Sequence, residues 1–268
     1  PAVPIMIGTA GRPAREGARE IMTDSRPNAA DNPFLRKLER FVDLPEADRA
    51  ALLKVSSNAY AVRAGTDLIR EGDRPAGVFL ILDGFTCHYK LRASGTRQIM
   101  AYLVSGDACD FDVALLEAMD HSIATLSDCK VLRIALETIR ELVQRPAISS
   151  ALRKSMLVDE ATLREWLLNV GRRSSIERLA HLFCELHLRL RAVGRADEDR
   201  FDLPVTQQDL ADTTGMTSVH VNRLLRELRQ KGLIELRQKH LTILDLPRLR
   251  ELAEFRSGYL HLGERAAA

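Results

Sequence analysis

Hydrophobic positions change their spacing along the chain, and each change marks a different kind of predicted element. Residues 59–135 carry short apolar or alternating runs separated by glycine-containing turns, a pattern typical of β-strands. Residues 136–171 and 172–193 carry apolar residues every three or four positions, which predicts helices, with a break near Arg145-Pro146. Many short strands at regular intervals indicate a closed or jelly-roll-like β structure.

The smaller elements are assigned from the same spacing. The predicted strands are 60–62, 68–69, 78–82, 85–91, 98–104 and 123–134. An Ala/Leu-rich stretch within 111–119 predicts a short helix between two of these strands. Two further short helices are predicted after Asn32-Pro33 and after Pro45, and a last one beyond Pro247. Residues 194–200 are charged and poor in apolar residues, which indicates an exposed loop.

Residues 205–245 predict two short helices joined by a glycine turn, then a second turn and two strands around a basic tip. Thr206 is the predicted N-cap of the first helix, and Gly215 can take the left-handed conformation that ends it. Thr217 or Ser218 would cap the second helix. This is the layout of a winged helix-turn-helix, whose second helix enters the major groove of DNA.

The second of these helices is predicted to separate an apolar face from a polar one. The apolar positions are Val221, Leu224, Leu225 and Leu228, and the outward ones are Ser218, His220, Asn222, Arg223, Arg226 and Arg229. Residues 216–240 hold six Lys or Arg and two Glu, a local charge of +4 on a chain of net charge +2. A basic stripe on a near-neutral protein favours contact with DNA phosphates over a plain helical hairpin.

A β-region, a long helix and a winged helix-turn-helix in this order resemble the CRP/FNR family of bacterial transcription regulators. Residues 68–73 and 78–84 resemble the first turns of the family's cyclic-nucleotide-binding-like roll. Ser105-Gly106-Asp107 resembles the opening of its ligand cassette. Residues 171–186 resemble the helix after the family's hinge, and residues 206–234 its DNA-binding signature.

The resemblance implies an α+β fold with an N-terminal antiparallel β-roll (jelly-roll-like), a long dimerisation helix and a C-terminal winged helix-turn-helix. The implied division is a tail at 1–31, a cyclic-nucleotide-binding-like sensor domain at 32–147, a dimerisation helix at 148–171, a winged helix-turn-helix DNA-binding domain at 172–246, and a C-terminal helix and tail at 247–268. The first tail is predicted to be disordered because it is rich in Ala, Gly, Pro and Arg and lacks periodicity.

A seam with alternating steps of three and four runs along the long helix, which is typical of a coiled coil. Its positions are Leu152, Met156, Asp159, Leu163, Trp166 and Val170. Two interpretations fit this spacing equally: pairing with a second copy of the chain, or packing against the chain's own β domain.

We expect DNA contacts at nine positions. These are Thr206, Gln208, Thr217, Ser218, Val219, His220, Asn222, Arg223 and Arg226. Thr206 and Gln208 match positions that touch phosphates in the family. Arg223 matches the base-reading Arg, which can hold guanine O6 and N7 in two bonds, although a phosphate contact or a surface ion pair is the alternative. The family commonly has Glu where this chain has Val219, so we expect a different half-site.

The expected effector pocket consists of Gly106, Asp107, His121 and Ser122. Cyclic-AMP-binding members have an Arg-Ser pair where this chain has His121-Ser122, and a Glu where it has Asp107. A histidine that is mostly neutral at pH 7 is a poor substitute for a permanent cation. Three nearby aspartates, Asp110, Asp112 and Asp120, would also repel an anion. We therefore expect an effector other than cyclic AMP.

We expect no cofactor and assign no metal ligand. The cysteines, at 87, 109, 129 and 184, form no C-x-x-C pair, and none precedes Cys87, so the family's iron–sulfur cluster is not expected. Cys87-His88 lies on a predicted strand, so a haem or metal site that uses one of these residues remains an alternative. A metal- or redox-responsive sensor that uses the cysteines and histidines of the roll is thus the alternative function. The competing interpretation of these residues is that the thiols are simply buried and the imidazoles lie at the surface.

Composition narrows the class of protein. Residues are 46% hydrophobic, enough for two modest cores, and no apolar run approaches the roughly 20 residues of a membrane span. No signal peptide is visible, and widely spaced cysteines suit a reducing cytoplasm. A cupin-like enzyme would need more metal-binding histidines than His88 and His121 in the β-region. We expect a cytoplasmic homodimer, not an enzyme, with palindromic double-stranded DNA and RNA polymerase as partners.

Overall fold

The computed structural model describes residues 31–262, so almost all of the predicted first tail and the last residues of the second lie outside the described part. The first half has helices α1 (Pro33–Glu39) and α2 (Glu46–Val55), then strands β1 (Tyr60–Val62), β2 (Asp67–Ile69), β3 (Gly77–Asp83), β4 (Thr86–Leu91), β5 (Arg97–Leu103), β6 (Ser122–Thr125) and β7 (Cys129–Ala135). The second half has α3 (Leu136–Leu142), α4 (Pro146–Arg172), α5 (Ser175–Ala192), β8 (Arg200–Asp202), α6 (Gln207–Thr214), α7 (Ser218–Gln230), β9 (Ile234–Arg237), β10 (His240–Ile243) and α8 (Leu246–Leu252).

The seven N-terminal strands form two antiparallel sheets, in the orders β1-β7-β3 and β2-β6-β4-β5. Leu80, Ile123 and Leu132 belong to the core that these sheets share with α1 and the start of α4. Gly84 joins β3 to β4 at φ 89°, and a Cβ there would meet the carbonyl oxygen of Asp128 at 2.6 Å. Only glycine fits this turn. The expected α+β fold with an antiparallel roll is confirmed.

Two predictions about local elements in the roll are wrong. The predicted strand at 123–134 is two strands, because residues 126–128 turn the chain from one sheet to the other. The amides of Leu126 and Ser127 both donate to the carbonyl oxygen of Phe85, which holds this turn in place. The predicted helix within 111–119 is reduced to one 3-10 turn, Val113–Leu115.

The 27-residue helix α4 starts at Pro146, as the break in the pattern predicted, but its apolar seam is divided between two faces. Leu152 and Trp166 are buried against the chain itself, whereas Leu163 is 56% exposed. The exposed large apolar side chains of α4 are Leu157, Leu163, Leu167, Leu168 and Val170. A straight helix repeats every 3.6 residues, so a seam with a period of 3.5 drifts around its surface.

Helix α5 is buried on nearly every side, although apolar residues every three or four positions are typical of a helix with one exposed polar face. It packs against α4, α6, α7 and α8, so its polar residues must find partners inside the protein. Glu185 is fully buried; Trp166 Nε1 donates to its carboxylate at 3.0 Å and Tyr259 Oη at 2.8 Å. Burial raises the pKa of Glu185 even though Arg189 lies 3.1 Å away and opposes this shift.

His181 of α5 leads to a prediction about pH. Burial, and then the charge of Arg173, lower its pKa to about 3, although Glu165 Oε1 lies 3.3 Å from His181 Nε2. Arg173 lies 2.6 Å from the same carboxylate and offsets its charge. The unfolded chain binds a proton at His181 below about pH 6.5 and the folded chain does not, so stability falls as pH drops towards 3.

We expect His181→Phe to remove this pH dependence while keeping an aromatic ring beside Phe255. Between pH 7 and 5, the free energy of unfolding should fall by about 2 kcal/mol less in the variant than in the wild type. Urea unfolding at both pH values measures the difference. Equal losses in the two proteins would mean that His181 is protonated in the folded state.

The C-terminal part contains two features that the sequence did not predict. Strand β8 pairs with β10 and extends the wing to three strands, β8-β10-β9; it begins at Arg200, the last residue of the predicted exposed loop, and no strand was predicted there. Buried Phe201 is the only strongly apolar residue in β8, which left the pattern too short to detect. Past α8, the 3-10 turn Ser257–Leu260 packs against α4 and buries Leu260. Among the described residues, no helix is both long and apolar enough to cross a membrane.

Candidate nucleic-acid interface and sensor site

The first helix of the helix-turn-helix, α6, begins and ends at the predicted residues. Thr206 Oγ1 accepts from the Asp209 amide at 3.1 Å, and the Thr206 amide donates to Asp209 Oδ2 at 2.8 Å. Two of the amides that a helix start leaves unpaired are therefore satisfied by a capping box. Gly215 ends α6 at φ 70°, the left-handed conformation that its position requires. These predictions are confirmed.

Helix α7 separates its two faces as its sequence predicted. Val221, Leu224, Leu225 and Leu228 are all at most 4% exposed and fix α7 in the core of the C-terminal part. Thr217 caps the helix by accepting from the His220 amide at 3.2 Å. The anchored apolar face leaves the opposite side of α7 at the protein surface.

None of the nine expected DNA-contacting residues is buried. Six are exposed: Thr206, Gln208, Thr217, Val219, Arg223 and Arg226. Three are half-buried: Ser218, His220 and Asn222. They lie at the start of α6 and along the outer side of α7, so the fold brings all nine to the same pair of helices.

Several of these side chains already have partners within the chain. Asn222 Nδ2 donates to Gln207 Oε1 at 3.0 Å and so links α7 to α6. Gln208 Nε2 donates to Asp212 Oδ1 at 2.7 Å. The Arg223 guanidinium lies 3.3 Å from His220 Nδ1. Hydrogen bonds between exposed groups are worth only about 1 kcal/mol each, so a ligand can replace them.

Two of the six Lys and Arg residues in 216–240 form ion pairs with glutamates, so they do not contribute unpaired positive charge. Lys231 pairs with Glu227 at 2.9 Å, and Arg237 pairs with Glu235 at 2.6 Å. Within residues 31–262, no acidic group pairs with the other four, Arg223, Arg226, Arg229 and Lys239. The unpaired positive charge lies on the outer side of α7 and at the tip of the wing.

The helix-turn-helix is attached to the β-roll through strand β5. Arg97 pairs with Asp209 and with Asp212 of α6, the latter at 2.7 Å. Beside this pair, Thr213 Oγ1 donates to Tyr102 Oη at 2.7 Å in a buried position. Strand β5 is thus joined to α6 by two ion pairs and one buried hydrogen bond.

Of the expected effector residues, Gly106 and Asp107 are engaged by helices. Asp107 is buried and lies 2.8 Å from Lys37 Nζ of α1 and 2.7 Å from the guanidinium of Arg189 of α5. Although burial opposes it, these two cations lower the pKa of Asp107. A Cβ on Gly106 would lie 2.7 Å from the carbonyl oxygen of Pro33. This turn joins the roll to α1 and α5.

The other two expected effector residues make different contacts. Ser122 Oγ accepts from the Glu71 amide at 2.9 Å. His121 Nδ1 lies 2.8 Å from Asp120 Oδ1, and its Nε2 lies 3.4 Å from Asp110 Oδ2. Burial works against protonation of His121, but the two aspartates outweigh it and raise its pKa.

His88 lies beside His121, with ring centroids 4.3 Å apart and the rings tilted by 38°. Burial lowers the pKa of His88 to about 4. Sequence reasoning named both histidines as possible metal ligands but grouped them with cysteines, whereas the structure brings them together with Asp110. The alternation of side chains along β4 and β6 was the available signal. It brings the two histidines together only in one pairing register, which cannot be read from the sequence.

The four cysteines are free and buried, and they do not join this cluster. Burial raises the pKa of the Cys87 and Cys184 thiols to about 12, and it also raises the pKa of Cys109 and Cys129. Thiols in this state are poor nucleophiles and poor metal ligands at neutral pH.

Comparison with known proteins gives the same two-part organisation. Residues 61–146 match the cyclic nucleotide-binding domain family, and residues 177–252 match the Crp-like helix-turn-helix domain family. The chain is 27% identical to the transcriptional activator protein FnrL of Cereibacter sphaeroides over 231 residues, covering 81% of this chain and 92% of FnrL. It is 27% identical to the nitrogen fixation regulation protein FixK of Azorhizobium caulinodans, covering 75% of this chain and 81% of FixK.

Among solved structures, FixK2 from Bradyrhizobium japonicum has a similar fold, with a TM-score of 0.65 at 21% identity, over 73% of this chain and 96% of FixK2. The cyclic nucleotide-binding domain comes first in this chain, followed by the long helix α4 and then by the Crp-like helix-turn-helix domain. The chain therefore has the two domains of a CRP/FNR-type transcription regulator, a cyclic nucleotide-binding domain and a Crp-like helix-turn-helix domain.

Proposed function

We propose that the protein regulates transcription as a homodimer that binds a palindromic DNA site. The observation that carries this proposal is the outer side of α7, where guanidinium groups without an acidic partner in the described chain lie on a helix anchored by its opposite face. A helix of this kind fits the major groove, and unpaired cations favour phosphate and guanine contacts.

Helix α4 supports the dimer. Of the eleven large hydrophobic side chains that are exposed among the described residues, five lie on this one helix. Clustered apolar exposure of this kind marks an interaction surface. Arg164 and Glu160 pair on the same exposed side at 3.4 Å and would lie beside the apolar contacts. Pairing of α4 with its copy would cover the leucines and place two α7 helices on one DNA duplex.

Three residues near the start of α7 are proposed to read bases together with Arg223. Val219 is 79% exposed and can pack on a thymine methyl group. Asn222 can pair with adenine once it releases Gln207, and His220 lies beside the Arg223 guanidinium. Thr206 and Gln208 at the start of α6, Thr217 and Ser218 at the start of α7, and Arg226 further along it are proposed to contact the DNA backbone.

Cyclic AMP is not proposed as the effector. Asp107 is already paired with Lys37 and Arg189, and His121 lies between two carboxylates, where a cyclic phosphate would be repelled. We expect isothermal titration calorimetry with cyclic AMP to show no binding at micromolar concentrations. A dissociation constant of micromolar or below would contradict this.

The remaining partners follow from the proposed activity. A protein that must reach chromosomal DNA acts in the bacterial cytoplasm, and FnrL, to which the chain is similar, is named a transcriptional activator. Contact with RNA polymerase is therefore part of the proposal. No catalytic step is proposed for the protein.

Selection of bound fragments from a random DNA pool tests the proposed function. At a stated salt concentration, we expect an inverted repeat to be enriched whose half-sites differ from the usual family sequence at the position facing Val219. Recovery of fragments without a shared sequence would show that the basic surface binds DNA nonspecifically and would contradict the proposal.

A further inference from the structure

We propose that the β-roll holds a divalent transition-metal ion, coordinated by His88, Asp110 and His121. One ligand atom from each of these side chains lies within 4.8 Å of the others. The cluster is separate from the helix-turn-helix and from Asp107, which is occupied by Lys37 and Arg189. Metal binding at this cluster is independent of the proposed function, and only its effect on DNA binding rests on that function.

The pairing of two strands creates the histidine pair. In the β4–β6 register, His88 faces Ile123, and Ile123 belongs to the core between the two sheets. Alternate residues of a strand share a face, so His121, two residues before Ile123, lies on the same side as His88. The two rings therefore meet at the inner face of the roll, 4.3 Å apart.

The third side chain comes from the loop between β5 and β6. Asp110 has φ 39°, a left-handed conformation that non-glycine residues rarely adopt. Its backbone is set by neighbours on both sides: the Cys109 amide donates to the carbonyl oxygen of Phe79, and Phe111 stacks on Phe34 at 6.3 Å. Backbone strain of this kind is common where a side chain must reach a functional position.

Each imidazole has one buried nitrogen that makes no hydrogen bond in the described chain, although His121 Nε2 lies 3.4 Å from Asp110 Oδ2. His88 Nε2 and His121 Nε2 are shielded from solvent, and neither makes a hydrogen bond. Leaving a buried polar atom without a hydrogen bond is unfavourable, so two adjacent cases need an explanation. A metal ion that accepts both lone pairs removes both costs at once.

The carboxylate of Asp120 supports this arrangement. It lies 2.8 Å from His121 Nδ1 and so directs the other ring nitrogen, Nε2, towards the cluster. A metal-bound histidine almost always donates its second N–H to such a partner, which fixes the tautomer and the ring orientation. His121 thus has both the ligand atom and the outer hydrogen bond that a metal site requires.

The donor set indicates which metals are suitable. Two imidazoles and one carboxylate suit Zn²⁺, Fe²⁺, Co²⁺ or Ni²⁺ better than Ca²⁺ or Mg²⁺, which prefer oxygen ligands alone. Three protein ligands leave a position for water or another small ligand. Bonds of about 2 Å require the ligand atoms to move inward, and the loop residue Asp110 can move most easily because it is exposed.

Closing the cluster would draw the loop towards the sheet. That loop contacts α1 through Phe111 and Phe34, and Lys37 of α1 lies 3.8 Å from Asp159 of α4. Metal binding is therefore expected to act on the helix that we propose as the dimer interface.

Cobalt titration of the full-length, tag-free, chelator-treated protein tests the site. We expect one Co²⁺ per chain with visible absorption bands, displaced by one equivalent of Zn²⁺. His88→Gln and Asp110→Asn should each weaken binding at least 10-fold. His240→Gln, which alters a surface His–Asp pair with Asp202, is the matched control and should bind as the wild type does. Circular dichroism establishes that every variant is folded.

Substoichiometric binding, or equal weakening in His240→Gln and His88→Gln, would overturn the proposed site. A folded Asp110→Asn variant that binds Co²⁺ as tightly as the wild type would also overturn it. The same titration on DNA-free protein separates this proposal from the proposed function, because stoichiometric Co²⁺ binding supports the site even in a protein that fails to select a DNA sequence.

Discussion

Replacing Leu167 with glutamate is expected to convert the dimer to monomers and to lower affinity for the selected DNA site about 1,000-fold or more. Leu167 is 75% exposed and lies within the apolar side of α4 that we propose to pair with its copy. Burying a carboxylate in that contact costs several kcal/mol, which is enough to prevent association. A monomer contacts one half-site, so its affinity falls towards that for nonspecific DNA.

Sedimentation equilibrium and fluorescence anisotropy at one fixed salt concentration measure the two effects. Leu115→Glu is the matched control, because Leu115 is 82% exposed but lies in the loop between β5 and β6. The control should remain dimeric and bind the selected site normally. A Leu167→Glu protein that stays dimeric, or a wild type that binds the site as a monomer, would contradict the proposed dimer.

Replacing Arg223 with alanine is expected to weaken binding to the selected site by about 1–3 kcal/mol for each half-site, or 5- to 150-fold. Arg223 is exposed and has no acidic partner in the described chain, and its guanidinium lies 3.3 Å from His220 Nδ1. Its guanidinium is therefore available to hold guanine O6 and N7. Binding to random DNA should change little, since other cations supply that affinity.

Arg229→Ala separates base reading from simple charge loss. Arg229 lies on the same helix, is exposed and has no acidic partner in the described chain, but it is at the C-terminal end, away from the groove-facing start of α7. We expect it to weaken specific and random binding by similar factors. If Arg223→Ala behaves in the same way, Arg223 contacts phosphate and does not read a base.

The helix-turn-helix could be predicted because its signals are local. Thr206, Gly215 and Thr217 determine where α6 and α7 begin and end within a few residues of themselves, and the buried face of α7 follows from spacing alone. The order of domains followed from the change between strand and helix periods. Such features can be predicted without knowing which residues from distant parts of the sequence contact them.

What the sequence did not reveal depends on distant partners. Asp107 meets Lys37 and Arg189, which are 70 and 82 residues away, so its engagement could not be predicted from the cassette motif. Arg97 reaches α6 across 112 residues. The cluster of His88, Asp110 and His121 needs both a strand register and a loop conformation.

The face that α4 presents to solvent was also hidden in the sequence. Its apolar residues outnumber those needed for one seam, and only the positions of α1, β5, α5 and the 3-10 turn Ser257–Leu260 show which of them the chain itself covers. Trp166 is buried against α5 through Glu185, while Leu167 beside it is exposed. Packing within the chain thus accounts for part of the seam, and we propose that pairing with a second copy accounts for the rest.

Chemical interference mapping on the selected DNA site tests most directly whether α7 reads the major groove. We expect guanine N7 methylation to block binding at two positions about one helical turn apart, roughly 10 base pairs, with the effect reduced in Arg223→Ala. Interference at a single position, or phosphate interference without any guanine N7 effect, would contradict sequence reading by a pair of α7 helices.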